Sequence, residues 1–149
     1  GDIMDKLNIH SLQVGITGAL LTFLFGGWDM SLEILAVFIL LDYISGLVKA
    51  FTTKTVNSQT GFKGLLKKSE ILIILIVATL LDRLINSGDW IFRTLVCYYY
   101  IANEGISIIE NCGKSGLPVP QKLVDALEQL QGIKKNKEEN KDEENSRHK

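Results

Sequence analysis

Apolar residues gather in four stretches, at residues 12–25, 32–51, 65–84 and 91–109, with polar breaks between them. At about 1.5 Å per residue, such stretches form helices of the length needed to cross a hydrocarbon layer roughly 30 Å thick. The first is the cleanest. From Leu7 to Trp28 it carries no formal charge with His10 neutral, and Trp28 sits where an interfacial aromatic belongs. Gly26-Gly27 breaks it, and the second stretch returns at once. The pattern predicts an all-α membrane protein with about four transmembrane helices in residues 1–110.

The other three stretches carry charges where a lipid-spanning helix should have none: Asp42 in the second, Asp82 and Arg83 near the end of the third, Arg93 and Glu104 in the fourth. A charge at the centre of a membrane helix costs about 2.5–3.5 kcal/mol on insertion scales. Such a cost is tolerated where the charges face one another or water, so these helices are expected to meet, and to line an aqueous path or a rigid bundle.

The connection at 52–69 is polar and holds Lys54, Lys63, Lys67 and Lys68. Gly61 and Gly64 suggest a turn there, into a third helix that begins near Leu65. Its uncharged centre, residues 71–81, is short, so either Lys67, Lys68 and Arg83 snorkel toward the interfaces or the bilayer thins around it. The turns near residues 26–30 and 86–89 contain no Lys or Arg. With both termini cytoplasmic, four crossings place the basic 52–69 connection and the C-terminal part inside, which is the positive-inside pattern. Asp82, Arg83 and Arg93 then form an expected outer ion-pair cluster.

Beyond residue 110 the character changes. Gly113, Gly116, Pro118 and Pro120 end the fourth helix and make a hinge. Leu123, Leu127 and Leu130 recur at helical spacing, predicting a short amphipathic helix in a 111–133 segment, for the membrane surface or a partner helix. Residues 134–149 hold six basic and five acidic side chains without an apolar anchor, and are expected to be a disordered cytoplasmic tail.

Two polar stripes stand out. Asp42, Ser45, Gly46 and Lys49 share a face of the second helix; Arg93, Cys97, Tyr100, Glu104 and Ser107 share one of the fourth. The functional reading makes Asp42, Ser45, Gly46, Lys49, Arg93, Tyr100 and Glu104 an assembly or lumen stripe. The bland reading makes them internal ion pairs of a bundle without a pore, and both stay open. Lys49 and Glu104 lie at similar depth and are expected to pair, while Asp42 has no evident partner at its level. Gly15 and Ala19 form a small-xxx-small pair that lets two helices approach closely.

No catalytic constellation is visible, and no cofactor or metal is expected: His10 and His148 have no ligand spacing to a Cys or Asp. Cys97 and Cys112 are too few for a disulfide framework and are expected to be reduced. A net charge of −1 argues against nucleic acid as a partner.

Several blocks in order resemble a known family: Leu41-Asp-Tyr-Ile-Ser-Gly-Leu-Val-Lys-Ala50, Asn57-Ser, Gly61-Phe-Lys-Gly-Leu-Leu-Lys-Lys68, Asn103-Glu-Gly-Ile-Ser-Ile-Ile-Glu-Asn111 and Gly116-Leu-Pro-Val-Pro120. Over roughly residues 30–130 the chain is similar to the phage-lysis and toxin-secretion holins of Gram-positive bacteria and their phages. The resemblance implies a small protein that accumulates in the bacterial cytoplasmic membrane, oligomerises with itself and opens lesions. Through these an endolysin reaches the cell wall, without needing to touch the holin. Family members are often assigned two or three crossings, so three crossings, without the first segment, is the alternative count. The competing function is an antiholin or a non-pore membrane scaffold co-assembling with a holin.

Overall fold

The computed structural model describes residues 2–87 and 89–131. Among these the chain forms five helices and no strand: α1 Asp2–Phe25, α2 Met30–Thr52, α3 Ser58–Ile85, α4 Ile91–Lys114 and α5 Gln121–Gln131. The charged tail expected at 134–149 lies outside the described residues.

The helix ends follow from local chemistry. Gly26 (φ 76°) and Gly27 (φ 102°) take the left-handed conformations that stop α1. Gly26 has no room for a side chain: an added Cβ would lie 3.0 Å from Arg93 Nε and 3.1 Å from the Trp90 ring. Asp29 caps α2, accepting from the Leu32 amide at 3.0 Å and from Ser31 Oγ at 2.8 Å. Asn57 caps α3, accepting from the Gln59 amide at 2.9 Å. The third helix therefore starts at Ser58, ahead of the expected Leu65, and Gly61 and Gly64 lie within it. The Asn57 cap satisfies the helix end and offsets the weak propensity of the two glycines, so they continue the helix in place of the expected turn. At the far end of α4, Gly116 (φ 91°) follows Lys114, so the helix runs past residue 110.

α4 is the central element: α2, α3 and α5 all pack on it, while α1 contacts α3. The core is Leu32 and Leu35 of α2, Ile71 and Leu75 of α3, and Cys97 and Ile101 of α4, with Phe25, Phe38, Ile39, Val96 and Tyr100 packed around it. The outward faces stay apolar. Leu40, Leu41, Ile44 and Val48 on α2, Leu72, Ile73 and Val77 on α3, and most of α1 are exposed. Such continuous apolar surface is suited to lipid or to other protein, and not to water.

By length and composition, two helices suffice to cross a membrane: residues Asn8–Phe25 of α1, none of them buried in the chain, and α2, Met30–Thr52. Gly15 has open space around it: among the described residues nothing lies within 4 Å of an added Cβ there. α5 folds back onto α4, where Leu127 is buried against Gly105; an added Cβ on Gly105 would lie 2.8 Å from Leu127 Cδ2 and 3.2 Å from Phe38 Cε2. Leu123 and Leu130 remain exposed.

Candidate functional site

The buried ionisable residues and their partners fall into two clusters, one toward each end. In the first, α2, α3 and α4 each contribute. Lys68 of α3 points inward, with Nζ 2.5 Å from Asp42 Oδ2 of α2 and a second hydrogen bond to Glu104 Oε2 of α4. Asn111 Nδ2 donates to Asp42 Oδ1 at 3.2 Å and to Ser45 Oγ at 3.1 Å. Ser45 Oγ in turn donates to the Asp42 carbonyl at 3.0 Å. The ion-paired side chains are 14% (Lys68), 12% (Asp42) and 4% (Glu104) exposed. One ammonium thus serves two carboxylates, with all three side chains largely withdrawn from solvent.

This differs from the sequence expectation in three ways. The cation of Glu104 is Lys68, not Lys49, and Lys49 makes no ion pair among the described residues. Asp42 has partners, Lys68 and Asn111. Lys68 does not snorkel; it closes the bundle. The physical reason is rotational: depth along a helix can be read from residue number, but the turn of α3 that aims Lys68 at α4 is set by packing.

In the second cluster Arg93, fully buried, reaches from α4 to the α1–α2 turn. Its Nε donates to the Phe25 carbonyl at 2.5 Å, Nη2 to the Gly27 carbonyl at 3.1 Å, and Nη1 to Asp29 Oδ2 at 2.6 Å. Asp82, also fully buried, accepts from the amides of Phe92 at 2.9 Å and Arg93 at 2.7 Å, and from Asn86 Nδ2 at 2.8 Å. α4 has no side-chain cap of its own, so a carboxylate from α3 supplies one. Arg83 donates to the Phe23 carbonyl at 3.2 Å and lies over the Phe23 and Trp90 rings, 4.8 and 5.2 Å from their centroids. Asp82, Arg83 and Arg93 therefore sit together, but the carboxylate that pairs with Arg93 is Asp29, and Asp82 takes backbone amides instead. Among the described residues no buried side-chain nitrogen or oxygen lacks a partner.

The hydrogen bond from Arg93 holds the Asp29 carboxyl at about 2, below its ordinary 3.8. A folded-state value below the unfolded one means that the pair's contribution is complete above the unfolded value and fades as pH falls toward the folded one. Wild-type protein in detergent should lose a modest increment of thermal stability over that acid window, modest because Asp29 is half exposed. Asp29→Asn should lack that increment, which a melting series from neutral to acid pH in both proteins checks.

A crevice of about 1010 Å³ opens beside the first cluster, between α2, α3 and α4. Of the residues expected on the polar stripes, Asp42, Gly46, Lys49, Tyr100, Glu104 and Ser107 border it. Ser45 is turned to Asn111, and Arg93 belongs to the other end. Sequence reading passed over Asp29, Lys68 and Asn111. Lys68 does share a heptad-spaced face of α3 with Ile71, Leu75 and Asp82, and Asn111 lies one heptad after Glu104; both signals were present.

Described residues that are all helical or in turns, with continuous apolar surface outside and paired charges within, suggest a membrane protein, and comparison with known proteins gives the class. Residues 19–132 match the bacteriophage holin family, and the chain belongs to that family. It is 51% identical over 128 residues to an uncharacterized 14.9 kDa protein in the nagH 3' region of Clostridium perfringens, covering 85% of this chain and 97% of that protein. It is 32% identical over 121 residues to the uncharacterized protein YqxH of Bacillus subtilis, covering 80% and 84%. It is 30% identical over 138 residues to a probable holin of Bacillus phage phi105, covering 92% and 96%. No solved structure matches.

Proposed function

We propose that this protein is a phage-type holin that inserts in the bacterial cytoplasmic membrane by four crossings, α1 to α4, oligomerises, and opens lesions through which an endolysin reaches the cell wall. The observation that carries this is the Lys68–Asp42–Glu104 cluster. It pairs, inside one chain, charges that would each cost about 2.5–3.5 kcal/mol against lipid. A chain closed in this way can accumulate in a bilayer. Where copies crowd together, the same groups can exchange their internal partners for water, and the side of the crevice becomes the wall of a lesion.

Expression of the chain alone should collapse the membrane potential and stop growth abruptly, followed with a potential-sensitive dye. A second reading, an antiholin or static scaffold, draws on the complete pairing of the buried polar groups. For that reading the dye signal stays constant while the chain builds up in the membrane.

Four crossings put the turns at 26–29 and 86–90, bridged by Arg93 and Asp82, on the outer side, and residues 53–57 on the cytoplasmic side. In a background of Cys97→Ala and Cys112→Ser, Ser87→Cys should react with an impermeant thiol reagent in intact cells, and Thr55→Cys only after permeabilisation. Labelling of Thr55→Cys from outside would invert or reduce the count.

A further inference from the structure

Three lysines on the crevice stand outside the pairs described above. Lys49 of α2 and Lys63 and Lys67 of α3 all border it, and none makes an ion pair among the described residues. Lys63 and Lys67 are four apart and so share a face of α3. Gly64 lies between them, and an added Cβ there meets nothing within 4 Å, so the crevice is open at that point. Lys63 and Lys67 are exposed and Lys49 is half-buried, whereas Asp42, Glu104 and Lys68 lie deeper and are paired among themselves. Glu70 is the one further carboxylate on the lining, leaving the exposed end cationic. The remaining lining is mixed, with Thr55, Asn57, Thr60 and Asn103 among its polar members, but one stretch is apolar and reaches the outside: Leu47 of α2 and Ile74 of α3 border the crevice and are also exposed on the outside of the bundle.

A cationic mouth that continues into an apolar, outward-facing wall fits a molecule with an anionic head and a hydrocarbon tail. We propose that this crevice binds an anionic phospholipid, its headgroup phosphate held by Lys49, Lys63 and Lys67 and an acyl chain lying along Leu47 and Ile74. A basic pocket between membrane helices on the cytoplasmic side is suited to such headgroups. A free phosphate would use the lysines but not the apolar wall. The inference rests on α2 and α3 lying in the membrane with residues 53–57 at the cytoplasmic face, and on no assumption about lesions.

The test titrates the purified full chain, in a nonionic detergent, with fluorescent phosphatidylglycerol, with unlabelled phosphatidylcholine and inorganic phosphate as competitors. Each lysine should contribute about fivefold, so Lys49→Gln/Lys63→Gln/Lys67→Gln should weaken binding on the order of a hundredfold. The control triple Lys54→Gln/Lys114→Gln/Lys122→Gln removes the same charge from positions that do not line the crevice and should change binding less than fivefold. Gly64→Leu fills the opening with every charge kept and should weaken binding at least tenfold. Because leucine favours a helix, this variant keeps the test decisive even where the triple fails to fold. Equal losses from the two triples, unchanged binding by Gly64→Leu, or equal competition by phosphatidylcholine or by phosphate would each overturn the proposal. Binding is read without lysis, so a chain that binds the lipid but opens no lesion contradicts the holin mechanism and leaves this site standing.

Discussion

Lys68→Leu should be among the most damaging single substitutions in the chain. It leaves Asp42 and Glu104 facing a common space with no cation between them, both nearly buried. Removing one partner of a buried ion pair costs about 3–5 kcal/mol, because the remaining charge is desolvated and unpaired. Here one lysine leaves two such carboxylates. The variant should show a large drop in stability to unfolding in mixed micelles, and low membrane levels in cells. The loss should be repaired by neutralising what the lysine served: Lys68→Leu/Asp42→Asn/Glu104→Gln should regain most of the stability, since apolar or neutral replacements of buried ion clusters are often tolerated. Asp42→Asn alone keeps an acceptor for Asn111 and should cost only about 1 kcal/mol. Lys67→Leu, one position away and exposed, should be nearly silent, as should Lys49→Leu. If Lys67→Leu and Lys68→Leu behaved alike, Lys68 would not be the inward residue.

Arg93→Leu should be the second large effect. The guanidinium gathers two backbone carbonyls and Asp29 from the α1–α2 turn, and is fully enclosed while doing so. Its loss leaves those carbonyls without their donor and frees the turn from α4. The expected cost is again about 3–5 kcal/mol. Arg93→Lys keeps the charge but not the fork that spans three acceptors, and should recover less than half of it. Hydrogen exchange of the amides around residues 25–32 should accelerate in both variants. Arg83→Leu is the contrast: it removes one long hydrogen bond and exposed ring contacts, and should cost less than about 1 kcal/mol.

Helix number and order were readable because long apolar runs separated by Gly-Gly and Asn-Ser-Gly-Asp leave few alternatives. The short amphipathic α5 was readable from Leu123, Leu127 and Leu130, though only Leu127 turned out to be buried. What sequence could not supply was pairing. Asp42 and Glu104 stood out as charges in apolar surroundings, but their common partner Lys68 sits among several lysines at a helix flank, where solvent exposure is the ordinary outcome. Asp29 was hidden for another reason. It is the N-cap of α2, while its cation lies on a helix 64 residues later in the chain. Such long-range choices are fixed by how α4 rotates between α2 and α3, which no local pattern encodes.

The claim at the centre of this account is passage of a folded protein through the membrane. The direct measurement is lysis of bacteria that hold an endolysin without an export signal in the cytoplasm, with this chain induced separately. The endolysin alone should leave cells intact, and induction of the chain should produce an abrupt fall in optical density with the enzyme recovered outside the membrane. Intact cells and a retained endolysin, with the chain present in the membrane at normal levels, would contradict it and leave the antiholin or scaffold reading in its place.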